Sequence, residues 1–409
     1  MNTELLRKYA KLTVCTGVNV QKGQPVIINA SVDQKEFVKY IVEEAYKAGA
    51  SWVTVNWSMQ EVTRLAYTYE TLETLSEVKK WQKEKMKSYI TDLPCMIHVL
   101  SDDPDGLKGV DQDKVQTARQ NTSKVLKRYR DAIDNKYQWT IVAAPSVAWA
   151  KKVFPDLSDT DAVERLWDEI LKAVRISETN DPVADWAKHN AFLREKCDKL
   201  NEYKFTKIHY SASNGTDLTV GLIDGALWCG GDEESAMGNW FNANMPTEEV
   251  FISPKAKQAE GVVYSSKPLA YQGEVIDEFY IVFKNGKAVE CHAKRGEELL
   301  KKMISMDKGA CMLGECALVP YDSPISNSGI LFYETLFDEN ASCHLALGAG
   351  YDNVLPDYDS LGKKGCREKG INDSMIHVDF MIGTKDLSVV GITADNREIE
   401  IFKNGNWVI

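Results

Sequence analysis

Pro25-Val26-Ile27-Ile28-Asn29-Ala30 is the first clear strand-like run of the chain. A helical segment over residues 35–48 follows this apolar run, and residues 52–57 form a second apolar run. Similar runs recur at residues 94–100 and 139–145, each after a long helical stretch. Strands that alternate with helices predict a mostly parallel α/β sheet. No GxGxxG or Walker glycine loop accompanies these strands, which argues against a nucleotide-binding domain.

The second half of the chain is richer in strand-like runs. They lie at residues 207–210, 216–222, 261–264 and 278–283. Asn285-Gly286 and Asn404-Gly405 are typical of tight hairpin turns between antiparallel strands. Residues 180–200 are interpreted as a helical segment that connects the α/β half of the chain to the strand-rich half. We therefore predict an α/β domain over residues 1–200, and an α+β, β-rich catalytic domain over residues 201–409.

Composition narrows the class of protein. The 409 residues suffice for two domains with sizeable cores, and the net charge of −11 argues against binding to nucleic acid or an anionic membrane surface. The sequence predicts neither a transmembrane helix nor a signal peptide. Nine cysteines, an odd number without a CxxC pair, favour a reducing compartment. We expect a cytoplasmic enzyme.

A second stretch, Met375-Ile376-His377-Val378-Asp379-Phe380-Met381-Ile382-Gly383, bears on function. Its apolarity predicts a buried strand. Side chains alternate across a strand, so His377 and Asp379 should share one face. A buried carboxylate needs a partner, which can be a metal cation bound together with the imidazole or the imidazole alone. On this stretch alone, a metal site and a hydrogen-bonded core pair remain equally open.

Other candidate ligands lie upstream in unusual places. His344, one of only six histidines, sits in a segment that also holds Glu339 and Tyr351 around a small-residue turn, and Glu315 and Glu249 adjoin apolar runs. Each acid alone is more typical of a solvated strand end. Together they offer the nitrogen and oxygen donors that suit zinc, cobalt or manganese, whereas calcium prefers oxygen alone.

Several motifs, taken in order along the chain, resemble one protein family. They are Gly17-Val18-Asn19-Val20-Gln21-Lys22-Gly23-Gln24, Gly215-Thr216-Asp217-Leu218-Thr219-Val220-Gly221-Leu222, Pro246-Thr247-Glu248-Glu249-Val250-Phe251, Gly314-Glu315-Cys316-Ala317-Leu318-Val319-Pro320, Glu339-Asn340-Ala341-Ser342-Cys343-His344-Leu345-Ala346-Leu347-Gly348 and Ile376-His377-Val378-Asp379-Phe380-Met381-Ile382-Gly383. The whole chain resembles the thermophilic-type metalloaminopeptidases, the aminopeptidase T and aminopeptidase S family. Separate motifs in the right order are more specific than any one of them.

The resemblance implies a pair of divalent cations and their ligands. The implied ligands are Glu249, Glu315, Glu339, His344, His377 and Asp379, with Glu315 bridging the cations or next to the bridge. It also implies a homodimer that hydrolyses short peptides from the amino terminus. Glu248 is the alternative to Glu249, because neighbours on a strand face opposite sides and only one can reach the cations.

This ligand set predicts a mechanism. Two cations about 3.5–4 Å apart can activate a water molecule and polarise the scissile carbonyl. Glu315, or another carboxylate beside it, would transfer the proton, and Tyr351 would stabilise the oxyanion. The alternative for Tyr351 is simple packing at a turn.

Other functions remain open at this point. A mononuclear oxygenase could use His344, His377 and one carboxylate, and a non-catalytic protein could merely bind metal. A Cys343 thiolate nucleophile is disfavoured, because Cys343 and His344 should diverge on a strand. Among the remaining histidines, we expect His98 in a core, His189 and His292 in solvent, and His209 open to a supporting role.

Overall fold

The computed structural model describes residues 2–133, 135–271 and 273–409. They form two compact units, one of residues 1–187 with 232–246 and one of residues 188–231 with 247–409. The division differs from the boundary at residue 200 expected from the sequence in two respects. It falls inside the helix Pro182–Tyr203, and residues 232–246 return to the first unit.

The first unit is built on a parallel sheet. Its strands are Val26–Ser31 (β1), Val53–Ser58 (β2), Cys95–Leu100 (β3) and Trp139–Ala143 (β4), in the order β2-β1-β3-β4. All three strand pairs are parallel. This confirms the parallel sheet and the strand positions that the apolar runs predict. β1 is buried at five of its six positions, as expected for a strand covered on both faces.

Helices connect these strands. They are Thr3–Leu12 (α1), Lys35–Lys47 (α2), Gln60–Tyr69 (α3), Leu72–Ser76 (α4), Lys80–Asp92 (α5), Gln112–Ile133 (α6), Val147–Val153 (α7), Asp159–Ala173 (α8) and Pro182–Tyr203 (α9), the last running across the boundary of the unit. A short hairpin, Glu233–Glu234 (β8) with Trp240–Phe241 (β9), completes the first unit. Among the described residues, no helix is both long and apolar enough to cross a lipid bilayer.

The second unit contains two sheets. Its strands are Lys207–Ser211 (β5), Asp217–Leu222 (β6), Cys229–Gly230 (β7), Val250–Ile252 (β10), Pro254–Tyr264 (β11), Leu269–Tyr271 (β12), Glu274–Lys284 (β13), Lys287–Arg295 (β14), Leu313–Leu318 (β15), His344–Gly348 (β16), His377–Met381 (β17), Ser388–Ile392 (β18), Glu398–Lys403 (β19) and Asn406–Trp407 (β20). Its further helices are Glu297–Ile304 (α10), Pro324–Ser328 (α11), Thr335–Asp338 (α12) and Tyr358–Lys369 (α13).

Both sheets of the second unit are antiparallel. The larger has nine strands, in the order β12-β13-β11-β6-β5-β18-β19-β20 with β14 beside β13, and the smaller has five, in the order β17-β16-β15-β10-β7. The predicted hairpin turns are confirmed. Asn285 and Gly286 join β13 to β14, Asn404 and Gly405 join β19 to β20, and all four residues have positive φ, as such turns require.

The core of the second unit includes side chains from both sheets. Val250, Leu345 and Phe380 of the smaller sheet belong to the same buried cluster as Val220 and Phe279 of the larger one. The rings of Phe279 and Phe380 lie 5.8 Å apart, centroid to centroid. Burial of one face of the smaller sheet in this core leaves its opposite face for other side chains.

Candidate metal centre

The face of the five-stranded sheet opposite the core gathers most of the candidate ligands. On β17, His377 and Asp379 point to this face, while Phe380 belongs to the core cluster, which confirms the alternation expected from the sequence. Register places Glu315 beside Ala346, and Ala346 beside Asp379. Opposed residues in a sheet share a face, so β15 and β17 deliver Glu315 and Asp379 to one place, with Ala346 of β16 between them. Glu249 immediately precedes β10 and reaches the same place.

Small residues make room between the acids and imidazoles. Ala346 separates Glu315 from Asp379, and Ala317 is opposite His344 in the ladder. A register irregularity at Gly314 shifts the alternation of β15 just before Glu315. A Cβ atom on Gly314 would lie 2.2 Å from the carbonyl oxygen of Ala349, so only glycine fits this approach of the two segments. The sheet thereby keeps large side chains out of the space between the ligands.

The candidate ligands form two groups that share Glu315. One group is Glu249, Glu315 and His344, and the other is Glu315, His377 and Asp379, with the ligand atoms of each group within 4.8 Å of one another. His344 Nε2 lies 3.2 Å from Glu249 Oε2. His377 Nε2 lies 3.1 Å from Glu315 Oε2 and 3.2 Å from Asp379 Oδ1. Each group therefore offers one imidazole and two carboxylates to a cation.

The orientation of His377 is fixed from behind. Its Nδ1 lies 2.7 Å from the carbonyl oxygen of Ala349, which can only accept a hydrogen bond. Nδ1 therefore carries the proton, and Nε2 faces the carboxylates. A histidine ligand held in this way is typical of metal sites, where the second nitrogen fixes the tautomer.

Crowding of acids in a buried place shifts their pKa values. Burial raises the pKa of Glu315 to about 7, and the nearby charge of Glu249 adds to this, although a hydrogen bond from His377 opposes it. Burial, followed by the charges of Asp379 and Glu249, raises the pKa of Glu339 well above its usual value. Burial also acts on Asp379, but its contact with His377 holds the pKa of that carboxyl below the ordinary value.

Negative charge around the two imidazoles, His344 and His377, raises their pKa values. Burial favours the neutral form of His344, but its hydrogen bond to Glu249 and the surrounding negative charge raise its pKa to about 10. His377 behaves similarly, because Asp379 and Glu315 outweigh burial and raise its pKa well above the usual value. The metal-free site is thus balanced by protons held on imidazoles and carboxyls.

Glu339 and Tyr351 border the two groups. Glu339 follows α12 and lies outside both groups, yet close enough to alter its pKa through their charges. The Tyr351 hydroxyl is 3.2 Å from His377 Nε2, and its ring packs edge-on against Phe251. Burial of the hydroxyl, followed by the charge of Glu315, raises the pKa of Tyr351 well above its usual range. Tyr351 therefore remains a proton donor at neutral pH.

Glu248 and Glu249, which lie just before β10 and not on a strand, point to different partners. Glu249 points to His344, whereas Glu248 Oε2 lies 3.7 Å from His189 Nε2. The prediction that His189 is solvated is wrong. It is buried, and its Nε2 lies 2.8 Å from the carbonyl oxygen of Thr247. The charged neighbours of His189 in sequence suggest exposure to solvent, but they lie on other faces of α9.

Three other residues can be assigned a place. Cys343 lies in the apolar core, where its thiol donates to the Val319 carbonyl and burial raises its pKa to about 12, so it cannot supply a thiolate near neutral pH. His98 lies on β3, where burial lowers its pKa. His209 lies in the larger sheet, with its Nδ1 2.9 Å from the Thr219 hydroxyl oxygen, and belongs to neither ligand group.

The donor set fits divalent cations. Glu249, Glu315 and Asp379 lie at most 9% exposed, with two imidazoles turned towards them. Several buried carboxylates this close repel one another, and cations would remove that repulsion. Mixed nitrogen and oxygen donors suit zinc, cobalt or manganese.

Comparison with known families agrees with this chemistry. The family model described as thermophilic metalloprotease (M29) matches residues 2–407. The chain belongs to the M29 family of metalloproteases. This confirms the resemblance found in the sequence. Among M29 relatives, aminopeptidase AmpS of Bacillus subtilis (strain 168) is 46% identical over 406 residues, which cover 99% of this chain and 98% of AmpS.

Solved structures extend the comparison. Wild-type AmpT from Thermus thermophilus matches with a TM-score of 0.91 and 38% identity, over 99% of each chain. The 2,5-dihydroxypyridine dioxygenase from Pseudomonas putida KT2440 matches with a TM-score of 0.54 and 12% identity, over 100% of this chain and 98% of the dioxygenase. The M29 chain thus shares its fold with the dioxygenase, and that likeness concerns the fold alone.

Sequence reasoning missed the groups that hold His377, Tyr351 and Gly348 in place. The Ala349 carbonyl, Ser253 and Asn372 have no distinctive motif, and their contacts depend on chain segments distant in sequence. The one available signal was the run Gly348-Ala349-Gly350 directly before Tyr351, which indicates a tight turn beside a candidate catalytic residue.

Proposed function

We propose that this M29 protein is a dinuclear metallo-aminopeptidase, and that the second unit is its catalytic domain. The observation that carries the proposal is the pair of ligand groups with Glu315 in common. We assign Glu249 and His344 to one cation, His377 and Asp379 to the other, Glu315 to both, and Glu339 as a further ligand beside them. The sheet register explains why residues so far apart in sequence converge.

The chain's own residues would then carry the reaction. A pair of divalent cations supplies water of lowered pKa and polarises a peptide carbonyl. Glu315 is assigned the proton transfer from water to the leaving amine, with Glu339 as the neighbouring carboxylate to which the proton can pass. In the metal-free chain the pKa of Glu315 is raised to about 7, and bound cations would favour its ionised form, which can accept a proton from water.

Tyr351 is assigned to the oxyanion of the tetrahedral intermediate. Its hydroxyl stays protonated, since burial and the nearby carboxylates raise its pKa, and it lies beside His377 at the edge of the second group. A neutral donor placed where negative charge develops stabilises the transition state more than the substrate. This role differs from that of the ligands, because it requires a hydroxyl and no bond to a cation.

Aminopeptidase chemistry is favoured over oxygenase chemistry by the number of carboxylates. A mononuclear oxygenase needs two imidazoles and one carboxylate, whereas this site gathers three carboxylates into the two groups and a fourth beside them. The relatives named aminopeptidases point the same way.

The substrates we propose are short peptides with a free amino terminus. The test is hydrolysis of a free peptide and its N-acetylated counterpart by the metal-loaded protein. Mass spectrometry identifies the products. We expect stepwise loss of residues from the amino terminus of the free peptide and no cleavage of the acetylated one. Internal fragments or shortening from the carboxyl end would overturn the aminopeptidase assignment.

We further propose a homodimer in the cytoplasm. All nine cysteines are free thiols, which suits a reducing compartment. Helix α3 supports the dimer, because it is amphipathic and has no buried residue, with Val62, Leu65 and Tyr69 exposed along one side. Monomers rarely expose a row of apolar side chains along one side of a helix. We therefore propose that a second copy of the chain covers this side of α3.

A further inference from the structure

The four-residue segment Gly348 to Tyr351 carries two functions of the proposed site. The Ala349 carbonyl fixes the tautomer of His377, and Tyr351 supplies the hydroxyl. Gly348 has a φ of +107°, and a Cβ atom there would lie 2.0 Å from the Ile376 carbonyl oxygen. The segment is therefore a tight turn pressed against the strand that holds His377 and Asp379.

Every backbone N–H group of this turn has a partner. Gly348 donates to the Met312 carbonyl at 2.8 Å, and Ala349 donates to the Ile376 carbonyl at 2.7 Å. Gly350 donates to the Asn372 carbonyl at 2.9 Å, while the Asn372 side chain donates to the Gly348 carbonyl at 2.6 Å. The first three residues are thus held by Met312, just before β15, and by Ile376 and Asn372, which precede β17. Tyr351 is held differently.

Ser253 holds the backbone of Tyr351 on both sides. Its hydroxyl oxygen accepts from the Tyr351 N–H at 2.7 Å, and the hydroxyl donates to the Tyr351 carbonyl oxygen at 3.2 Å. Ser253 has no exposed surface and lies between β10 and β11, two residues after Phe251. One buried side chain therefore satisfies both polar backbone groups of the residue that presents the hydroxyl.

Apart from the 3.2 Å contact between its hydroxyl and His377 Nε2, the side chain of Tyr351 is restrained mainly by ring packing. It is 42% exposed, follows two small residues, and is bordered by the rings of Phe251 and His377. An oxyanion donor acts only from a narrow range of positions, and a shift of about 1 Å can cost on the order of 10²-fold in rate. The position of the hydroxyl therefore depends on where the backbone of Tyr351 is fixed.

We propose that Ser253 is a positioning residue for the reaction, acting through Tyr351. The inference rests on the proposed function of Tyr351. Ser253 touches neither the ligand carboxylates nor the imidazoles in any hydrogen bond of the described chain. Its loss should displace the Tyr351 hydroxyl while the two ligand groups keep their register in the sheet.

A double-mutant cycle with Ser253→Ala and Tyr351→Phe tests the inference. Tyr351→Phe should lower kcat by roughly 10²–10³-fold. Ser253→Ala should lower kcat by about 10- to 100-fold, with KM and metal content nearly unchanged. In the Tyr351→Phe background, Ser253→Ala should cost almost nothing more, because the hydroxyl it positions is already gone. Equal losses in both backgrounds would overturn the inference.

Two readouts besides turnover support the cycle. Affinity for a phosphinic dipeptide analogue, which mimics the tetrahedral intermediate, should fall in Ser253→Ala, while affinity for a product amino acid should not. In the metal-free protein, the Tyr351 amide should exchange its hydrogen faster. Unchanged phosphinate affinity in Ser253→Ala would count against the inference. Ser253→Cys keeps the size of the side chain with weaker hydrogen bonds, and should show the same effects to a smaller degree.

Thr216→Val is the matched control. Thr216 is also buried in the second unit, and its hydroxyl accepts from the Tyr264 N–H at 3.1 Å, within the larger sheet. Thr216→Val should leave kcat near the wild-type value. If Tyr351→Phe loses activity and Ser253→Ala does not, only this inference fails. If the wild-type protein releases no amino-terminal residue, the proposed function fails, and the inference with it.

Discussion

At the scale of single residues, His377 shows how one side chain acquires a role from three segments of the chain. Its strand turns it towards Asp379, β15 brings Glu315 to 3.1 Å, and the turn before Tyr351 fixes Nδ1. A core histidine would need only one of these partners. The combination is what favours a ligand over the packing role that the sequence left open.

His377→Ala should abolish metal retention in one group together with peptide hydrolysis, while the fold persists. A lost ligand weakens metal binding, whereas a lost packing residue weakens mainly the fold. Elemental analysis and circular dichroism on the purified variant check both. His209→Ala is the control, because His209 is half-buried in the larger sheet. This variant should retain the metal content of the wild-type protein. Full metal content in His377→Ala would remove His377 from the ligand set.

Metal binding should release protons and strengthen as pH rises from about 5 to 8. The pKa values of Glu315 and His344 in the metal-free chain are raised to about 7 and about 10, so cations must displace protons that these groups still hold. Calorimetric titration at pH 6 in buffers of different ionisation enthalpy counts those protons. No proton release at pH 6 would contradict the electrostatic description of the site.

The same shifts predict the stability of the metal-free protein. Both pKa values lie above their ordinary values of 4.5 and 6.5, so each group stabilises the fold below that ordinary value. The contribution is lost as pH rises towards 7 for Glu315 and towards 10 for His344. Melting temperatures of chelator-treated protein should therefore fall over this range, and those of the metal-loaded protein should fall less.

At the scale of elements, the turn after β16 is the most constrained part of the site. Gly348→Ala should cost about 1–2 kcal/mol for its left-handed backbone, and roughly 1–3 kcal/mol more for the clash with Ile376. Gly225→Ala is the control, since Gly225 also has positive φ but nothing within 4 Å of an added Cβ atom. Urea unfolding of both variants measures the difference. Equal losses would mean that the close approach is unimportant.

The sequence predicted those elements whose pattern is local. The β-branched runs of β1 to β4 and the two Asn-Gly turns carry their structure in a few adjacent residues, and they were placed within one or two residues. The convergence of the ligand segments came from the resemblance, because no local pattern shows that β15 lies between β10 and β16. Residues 232–246 return to the first unit through long-range packing, which a boundary at residue 200 could not anticipate.

The residues that support Tyr351 and Gly348 are equally unpredictable from the sequence. Ser253 and Asn372 are ordinary polar residues until the fold places Tyr351 and Gly348 against them. The charged neighbours of His189 in sequence predict exposure to solvent, whereas α9 buries His189 beside Thr247. In both cases, the decisive contact joins segments far apart along the chain, which a single sequence does not reveal.

At the scale of the whole molecule, the exposed side of α3 should mediate the proposed homodimer. Leu65→Glu places a charge on this apolar side, where a partner would have to bury it. We expect light scattering to show a shift from dimer to monomer. Val289→Glu is the control, because Val289 is similarly exposed on β14, away from α3. An unchanged dimer in Leu65→Glu would move the interface elsewhere.

The proposed function requires that the two groups sharing Glu315 hold two cations that act together in peptide hydrolysis. Its most direct test is a titration of chelator-treated protein with zinc, cobalt or manganese, with hydrolysis of a free-amine peptide followed at each point. Full activity should coincide with two metal equivalents per chain, independent of dioxygen. Full activity at one equivalent, or turnover that requires dioxygen, would contradict the claim.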